Sequence, residues 1–159
     1  MCEKRTVYLA YGSNLNIRQM LRRCPDAKPW GATELADWKL EFWGGAVATI
    51  VPKDGCSVPV GLWSITARDE RALDVYEDYP RMYRKEYLPI KWGGGQRPQE
   101  DVLNADIAKS GFLGNNIHGR YVRAMVYIMN RGAVNLPSIS YFKTILDGYL
   151  DFDIDTTLH

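Results

Sequence analysis

A short apolar run, Tyr8-Leu9-Ala10-Tyr11, breaks at Gly12 and passes through Ser13-Asn14-Leu15 directly into helical spacing. Residues 6–10 have the apolar character of a short buried strand. Gly12 tolerates the backbone angles of a tight turn, and Ser13 and Asn14 are favoured helix N-caps. Ile17, Met20, Leu21 and Cys24 then recur on one face of a helix that Pro25 ends. A strand, a glycine turn and a helix in immediate succession set a helix start against a buried strand. Several backbone N–H groups at that start lack intrahelical acceptors and point the same way, which suits an anion or a developing oxyanion. Many strand-to-helix turns carry Gly and Ser for packing alone, so the junction supports both readings.

Further along, period-two patterns and turn residues predict strands rather than a regular strand–helix alternation. Leu35, Trp38, Leu40 and Phe42 give an interrupted alternation within residues 33–42. Residues 46–51 follow across Gly44-Gly45, and residues 58–66 form a third candidate, where Gly61 marks a bulge or a close contact. Residues 87–92 and 120–129 complete the strand set. Thr66-Ala67-Arg68-Asp69 resembles a capping box opening a helix to about Tyr79. Pro137-Ser138 opens a last helix, with Tyr141, Ile145 and Tyr149 at four-residue intervals. The pattern predicts an α+β fold around a curved mixed sheet or small β-barrel with flanking helices. The 159 residues read as one domain with no internal repeat. A Gly-, Asn- and Gln-rich segment, residues 93–119, reads as either a lid or a surface excursion.

Charge and composition exclude several classes. Twenty basic residues nearly balance 19 acidic ones, and no basic stripe stands out, so a nucleic-acid partner is not expected. Arg18, Arg22 and Arg23 form a small basic group on the first helix that reads as a solvated face. No apolar stretch approaches the ~20 residues a bilayer span needs, and no signal peptide is visible, so no membrane role and a cytoplasmic location are expected. Cys2, Cys24 and Cys56 are too few and too scattered for a disulfide framework or a zinc site. His118 and His159 sit in a polar loop and at the last residue, so neither a metal centre nor a Ser–His–Asp hydrolase is expected. Gly93-Gly94-Gly95 lacks the Lys-Ser/Thr of a phosphate loop. Any catalysis must rest on carboxylate, hydroxyl and backbone groups.

One carboxylate stands out. Glu77 lies four residues after Leu73, beside the apolar face of the second helix and amid Tyr76, Tyr79 and Tyr83. The helix dipole there disfavours negative charge, and burial would raise the pKa further. A group placed so unfavourably suits a general acid or base. Spacing alone favours a glutamate at the edge of the face that snorkels to water.

Taken together, these motifs resemble the γ-glutamylcyclotransferase-like family. The resemblance runs through Tyr11-Gly12-Ser13-Asn14-Leu15, the Arg23-Cys24-Pro25 helix end, Leu35-Ala36-Asp37-Trp38-Lys39-Leu40, Ala48-Thr49-Ile50 and Val60-Gly61-Leu62-Trp63. It continues through Leu73-Asp74-Val75-Tyr76-Glu77, Tyr83-Arg84, Val126-Tyr127-Ile128-Met129 and residues 137–148. It implies a compact barrel-like α+β domain and a cofactor-free reaction. In that reaction the α-amine of a γ-glutamyl compound attacks its own side-chain carbonyl, giving 5-oxoproline and a released amine. By resemblance Glu77 is the catalytic acid/base. Tyr11, Gly12, Ser13 and Asn14, with preceding Ala10, form the substrate cradle. Tyr141 matches a substrate-site tyrosine, and Tyr83 is a further candidate whose other role is packing. The partner implied is a small γ-glutamyl molecule, and a homodimer is expected.

The chain departs from the family pattern at two places. Asp78-Tyr79 follow Glu77 where many relatives have Gly, and residues 93–119 fall outside the core pattern. The alternatives are a relative acting on γ-glutamylamines, or one releasing a γ-glutamyl-protected metabolite. From another class, the same fold could serve as an inert binding or interaction module, although a pure binder gains little from an acid at a helix end.

Overall fold

The computed structural model describes residues 4–91 and 121–155, so the segment 93–119 lies outside the described residues. Strand β1 (Thr6–Ala10) leads through a 3-10 turn (Ser13–Leu15) to helix α1 (Ile17–Arg23). Two long strands, β2 (Lys28–Trp43) and β3 (Val47–Ile65), precede α2 (Ala67–Tyr76). Strands β4 (Tyr83–Lys91) and β5 (Tyr121–Met129) and helix α3 (Ile139–Asp151) complete the set. The strands form one sheet in the order β2-β3-β1-β5-β4. Among the described residues only β1 and β5 run parallel; β1–β3, β2–β3 and β4–β5 pair antiparallel. The sheet curls until its edges touch, where Thr33 Oγ1 donates to the Lys91 carbonyl at 3.0 Å. It stays open, so the expected α+β curved mixed sheet is present without closing into a barrel.

The central position of β1 explains its unbroken apolar run. Val7, Leu9 and Tyr11 pack into one hydrophobic cluster, while Tyr8 and Ala10 face a second on the opposite side. A strand covered on both faces needs no polar alternation. Met20 of α1 and Cys24, its C-cap, are fully buried in the second cluster, and Ile145 of α3 is buried in the first. Leu9, Leu15, Leu62 and Leu73 are fully buried, each contributing roughly 1.5–3 kcal/mol relative to exposure. Gly148 and Gly61 permit the close approaches that seat the 3-10 turn. A Cβ on Gly148 would lie 2.6 Å from the Leu15 backbone, and one on Gly61 would lie 2.7 Å from Leu15 Cδ2.

Three local expectations change. The strands predicted at 46–51 and 58–66 are one strand, β3, which bends but does not break. Gly55 adopts φ +83° opposite Asp37 at φ +67°, and the Gly55 N–H donates to Asp37 Oδ1 at 3.0 Å. The pairing register shifts between Ala36 and Trp38, which explains the interrupted alternation in β2. The capping box forms as expected, with Thr66 and Asp69 exchanging side-chain-to-backbone bonds. The helix it opens ends at Tyr76, however, so Glu77 is the C-cap, its N–H donating to the Leu73 carbonyl at 2.8 Å. At the first junction Ser13 and Asn14 belong to the 3-10 turn, and Asn16 caps α1 by accepting from the Gln19 N–H. Among the described residues no helix is long and apolar enough to cross a membrane.

Candidate active site

The ends of β1, α2 and β4 converge on a cavity of about 260 Å³. That is below the ~300–1,000 Å³ typical of sites for drug-sized ligands and suits a small polar molecule. Glu77 reaches it because α2 stops one residue earlier, turning the carboxyl inward from the helix end. Removal from water pushes its pKa from the ordinary 4.5 up to about 7, with the Arg23 guanidinium opposing the rise. A carboxyl in that range accepts and returns protons near neutral pH.

Asn14, buried in the 3-10 turn, links this carboxyl to the rest of the site. Its Nδ2 donates to Tyr8 Oη at 2.9 Å and to Glu77 Oε1 at 3.4 Å, and its Oδ1 accepts from Arg23 Nη1 at 2.6 Å. Its carbonyl accepts from Trp63 Nε1 at 3.1 Å, tying the turn to the core. Ser13 Oγ lies 3.1 Å from Tyr76 Oη in a hydrogen bond. Gly12 adopts φ −125°, which any residue tolerates, so the expected need for a special backbone conformation is not met. The requirement is room: a Cβ at Gly12 would lie 3.1 Å from Ala48 Cβ and 3.6 Å from Tyr141 Oη.

Tyrosines wall the cavity. Tyr83 Oη donates to the Ala48 carbonyl at 2.8 Å, while the Ala48 N–H donates to Tyr141 Oη at 3.1 Å. The two hydroxyls, from β4 and α3, therefore hold the backbone of one residue, Ala48. Burial pushes the Tyr83 and Tyr141 phenols above their ordinary pKa and keeps them protonated. Tyr11 Oη is committed to the Tyr127 carbonyl at 2.6 Å, so Tyr11 presents mainly its ring to the cavity.

Of the residues predicted from sequence, Glu77, Tyr11, Gly12, Ser13, Asn14, Tyr83 and Tyr141 all line this cavity. Ala10 does not; it is buried in β1, paired with Gly61. Tyr79, expected beside Glu77, instead packs edge-on against Tyr127 with the Lys85 ammonium 4.3 Å from its ring centroid. Sequence reasoning missed Tyr8 and Tyr127, which stand within apolar strand runs with nothing local to mark them as site residues, and it misplaced Arg23. Arg18 and Arg22 are exposed as expected, but Arg23 turns inward. It donates to Gln19 Oε1 at 3.1 Å and stacks 3.6 Å over the Tyr76 ring. Among the described residues no cluster of three or more His, Cys, Asp or Glu side chains could hold a metal ion.

The family model described as "Gamma-glutamyl cyclotransferase, AIG2-like" matches residues 8–143 of this chain. A human gamma-glutamylcyclotransferase is 32% identical over 85 residues, 47% of this chain and 45% of its own length. The aligned region thus spans less than half of that curated relative. Among solved structures, a gamma-glutamyl cyclotransferase superposes with a TM-score of 0.68 at 23% identity, covering 93% of this chain and 80% of the other. A human protein described as uncharacterized gives a TM-score of 0.71 at 22% identity, covering 97% and 83%. These structural likenesses establish the fold, and the match along 8–143 establishes the lineage. The chain belongs to the gamma-glutamyl cyclotransferase, AIG2-like family.

Proposed function

We propose that the protein is a γ-glutamylcyclotransferase in which Glu77 is the general acid/base. The α-amine of a bound γ-glutamyl compound attacks its own γ-carbonyl carbon, and a new C–N bond closes the five-membered ring. Glu77 takes a proton from the attacking nitrogen and gives it to the departing one as the original C–N bond breaks. The products are 5-oxoproline and a free amino acid or amine. Because nucleophile and electrophile belong to one molecule, holding the reactive conformer supplies much of the rate. What remains is proton transfer, which one carboxyl with a raised pKa performs in both directions.

The observation that carries this reading is the Glu77 carboxyl itself, facing a small tyrosine-walled cavity with its pKa raised to about 7 by burial. The turn from Tyr11 to Asn14 supports it as the substrate cradle, with backbone N–H groups at the start of a 3-10 turn available to a developing oxyanion. Tyr83 and Tyr141 line the same cavity. Ala10 supports the cradle from behind. A membrane-free cytoplasmic setting fits a reaction on small soluble substrates.

The leaving group is tested directly by incubating the protein with γ-glutamyl dipeptides, glutathione and γ-glutamylamines and measuring 5-oxoproline by mass spectrometry. Release from at least one of these compounds is expected. No 5-oxoproline from any of them would favour an inert binding module.

A further inference from the structure

We propose that Arg23 is a positioning residue for Glu77, acting through the side-chain amide of Asn14. The inference rests on the reading of Glu77 as the acid/base. Arg23 has only donors, so its 2.6 Å contact must be to the oxygen of the Asn14 amide. That contact fixes the amide's orientation and leaves Nδ2 facing Glu77 Oε1 and Tyr8 Oη. Were the amide to turn over, its oxygen would confront the carboxyl, placing two acceptors together. Arg23 is itself held from two sides, by Gln19 Oε1 at 3.1 Å and by its stack on Tyr76. The chain of contacts is therefore Gln19 and Tyr76 to Arg23, Arg23 to Asn14, and Asn14 to Glu77.

The charged and titratable groups facing Glu77 come from several elements. Arg23 approaches from α1, Tyr8 and Tyr11 from the β1 end, Tyr83 from β4 and Tyr141 from α3. Burial raises all four phenols, so they stay neutral through the working range. Arg23 is the cation that favours ionised Glu77, both by its charge and by the donor it aims through Asn14.

The test is a carboxyl-carbon NMR titration of Glu77 in the intact protein, the signal being identified by its loss in Glu77→Gln. Arg23→Met should move the Glu77 midpoint to higher pH, and the acid limb of kcat/KM should move with it. Arg23→Lys keeps the charge but loses the planar fork, so an intermediate shift is expected. In an Asn14→Ala background the shift from Arg23→Met should shrink, because the relay is already cut. An unchanged midpoint in folded Arg23→Met, or in Arg23→Lys should the Met variant fail to fold, would overturn the proposal. So would a full-sized shift in the Asn14→Ala background. The titration needs no turnover, so an active Glu77→Gln enzyme would defeat the acid/base reading without deciding the role of Arg23.

Discussion

The side-chain amide of Asn14 donates to the carboxyl of Glu77 at 3.4 Å, joining two residues 63 positions apart in the chain. One stands in the turn after the central strand, the other at the end of the helix that follows the long hairpin. The contact places a neutral donor, not a cation, beside a carboxyl whose pKa burial has raised to about 7. A base must be ionised to take a proton, so kcat/KM should fall about tenfold per pH unit below pH 7. A pH–rate profile measures this. An acid limb near the ordinary carboxylate range would contradict the role assigned to the buried carboxyl.

The same shift predicts how stability follows pH. The pKa of Glu77 is higher folded than unfolded, so between about pH 4.5 and pH 7 the folded state binds the extra proton. Stability contributed by this group is therefore greatest below the unfolded value and declines as pH rises through about 7. Glu77→Gln removes the titration. The variant should match the wild type near pH 4 and exceed it by roughly 1–3 kcal/mol at pH 8. Urea unfolding at the two pH values checks the difference, and a less stable variant at pH 8 would show the carboxylate to be favourably solvated.

At the turn, Gly12→Val should abolish substrate binding. The β-carbon would already stand 3.1 Å from Ala48 Cβ, and the added methyls extend into the cavity and toward Tyr141 Oη. Overpacking of this kind costs typically ~1–3 kcal/mol of stability. Calorimetric titration with a confirmed γ-glutamyl substrate would read the loss. Unaltered affinity in a folded variant would assign the turn to packing alone.

Tyr83 donates to the Ala48 carbonyl and Tyr141 accepts from the Ala48 N–H, so both hydroxyls hold the backbone of one residue. Removing either hydroxyl leaves a buried backbone group unpaired, at a cost of ~1–3 kcal/mol. Because both act on the backbone of the same residue, Tyr83→Phe and Tyr141→Phe should be coupled in a double-mutant cycle by ~0.5 kcal/mol or more. Additive effects on unfolding free energy would mean that the two hydroxyls act independently.

Local chemistry was legible in the sequence. The capping box of Thr66 and Asp69 and the Ser138 cap of α3 depend on residues three apart, and both formed; of the face predicted for the first helix Met20 and Cys24 are buried, while Leu21 is exposed. Residues 46–51 and 58–66 read as separate strands because no contact local in sequence joins them across Gly55. The Asp37 side chain, eighteen positions away, instead carries the hairpin through the bend. The cavity's front wall was visible in the Tyr11–Asn14 turn and in Glu77. Tyr8 and Tyr127 were not, since only the strand order brings β1 beside β5. The inward turn of Arg23 was hidden for a related reason. Helical spacing locates a face, but the acceptor that draws the side chain inward sits in the preceding turn.

Whether Glu77 moves the proton during ring closure is decided by single-turnover formation of 5-oxoproline in wild type and Glu77→Gln. Glutamine is nearly isosteric and keeps an oxygen, but it cannot take up a proton at neutral pH. With a substrate the wild type converts, Glu77→Gln should retain binding and react more slowly by about 10²–10⁴. A folded Glu77→Gln protein that forms 5-oxoproline at the wild-type rate would contradict proton transfer by Glu77.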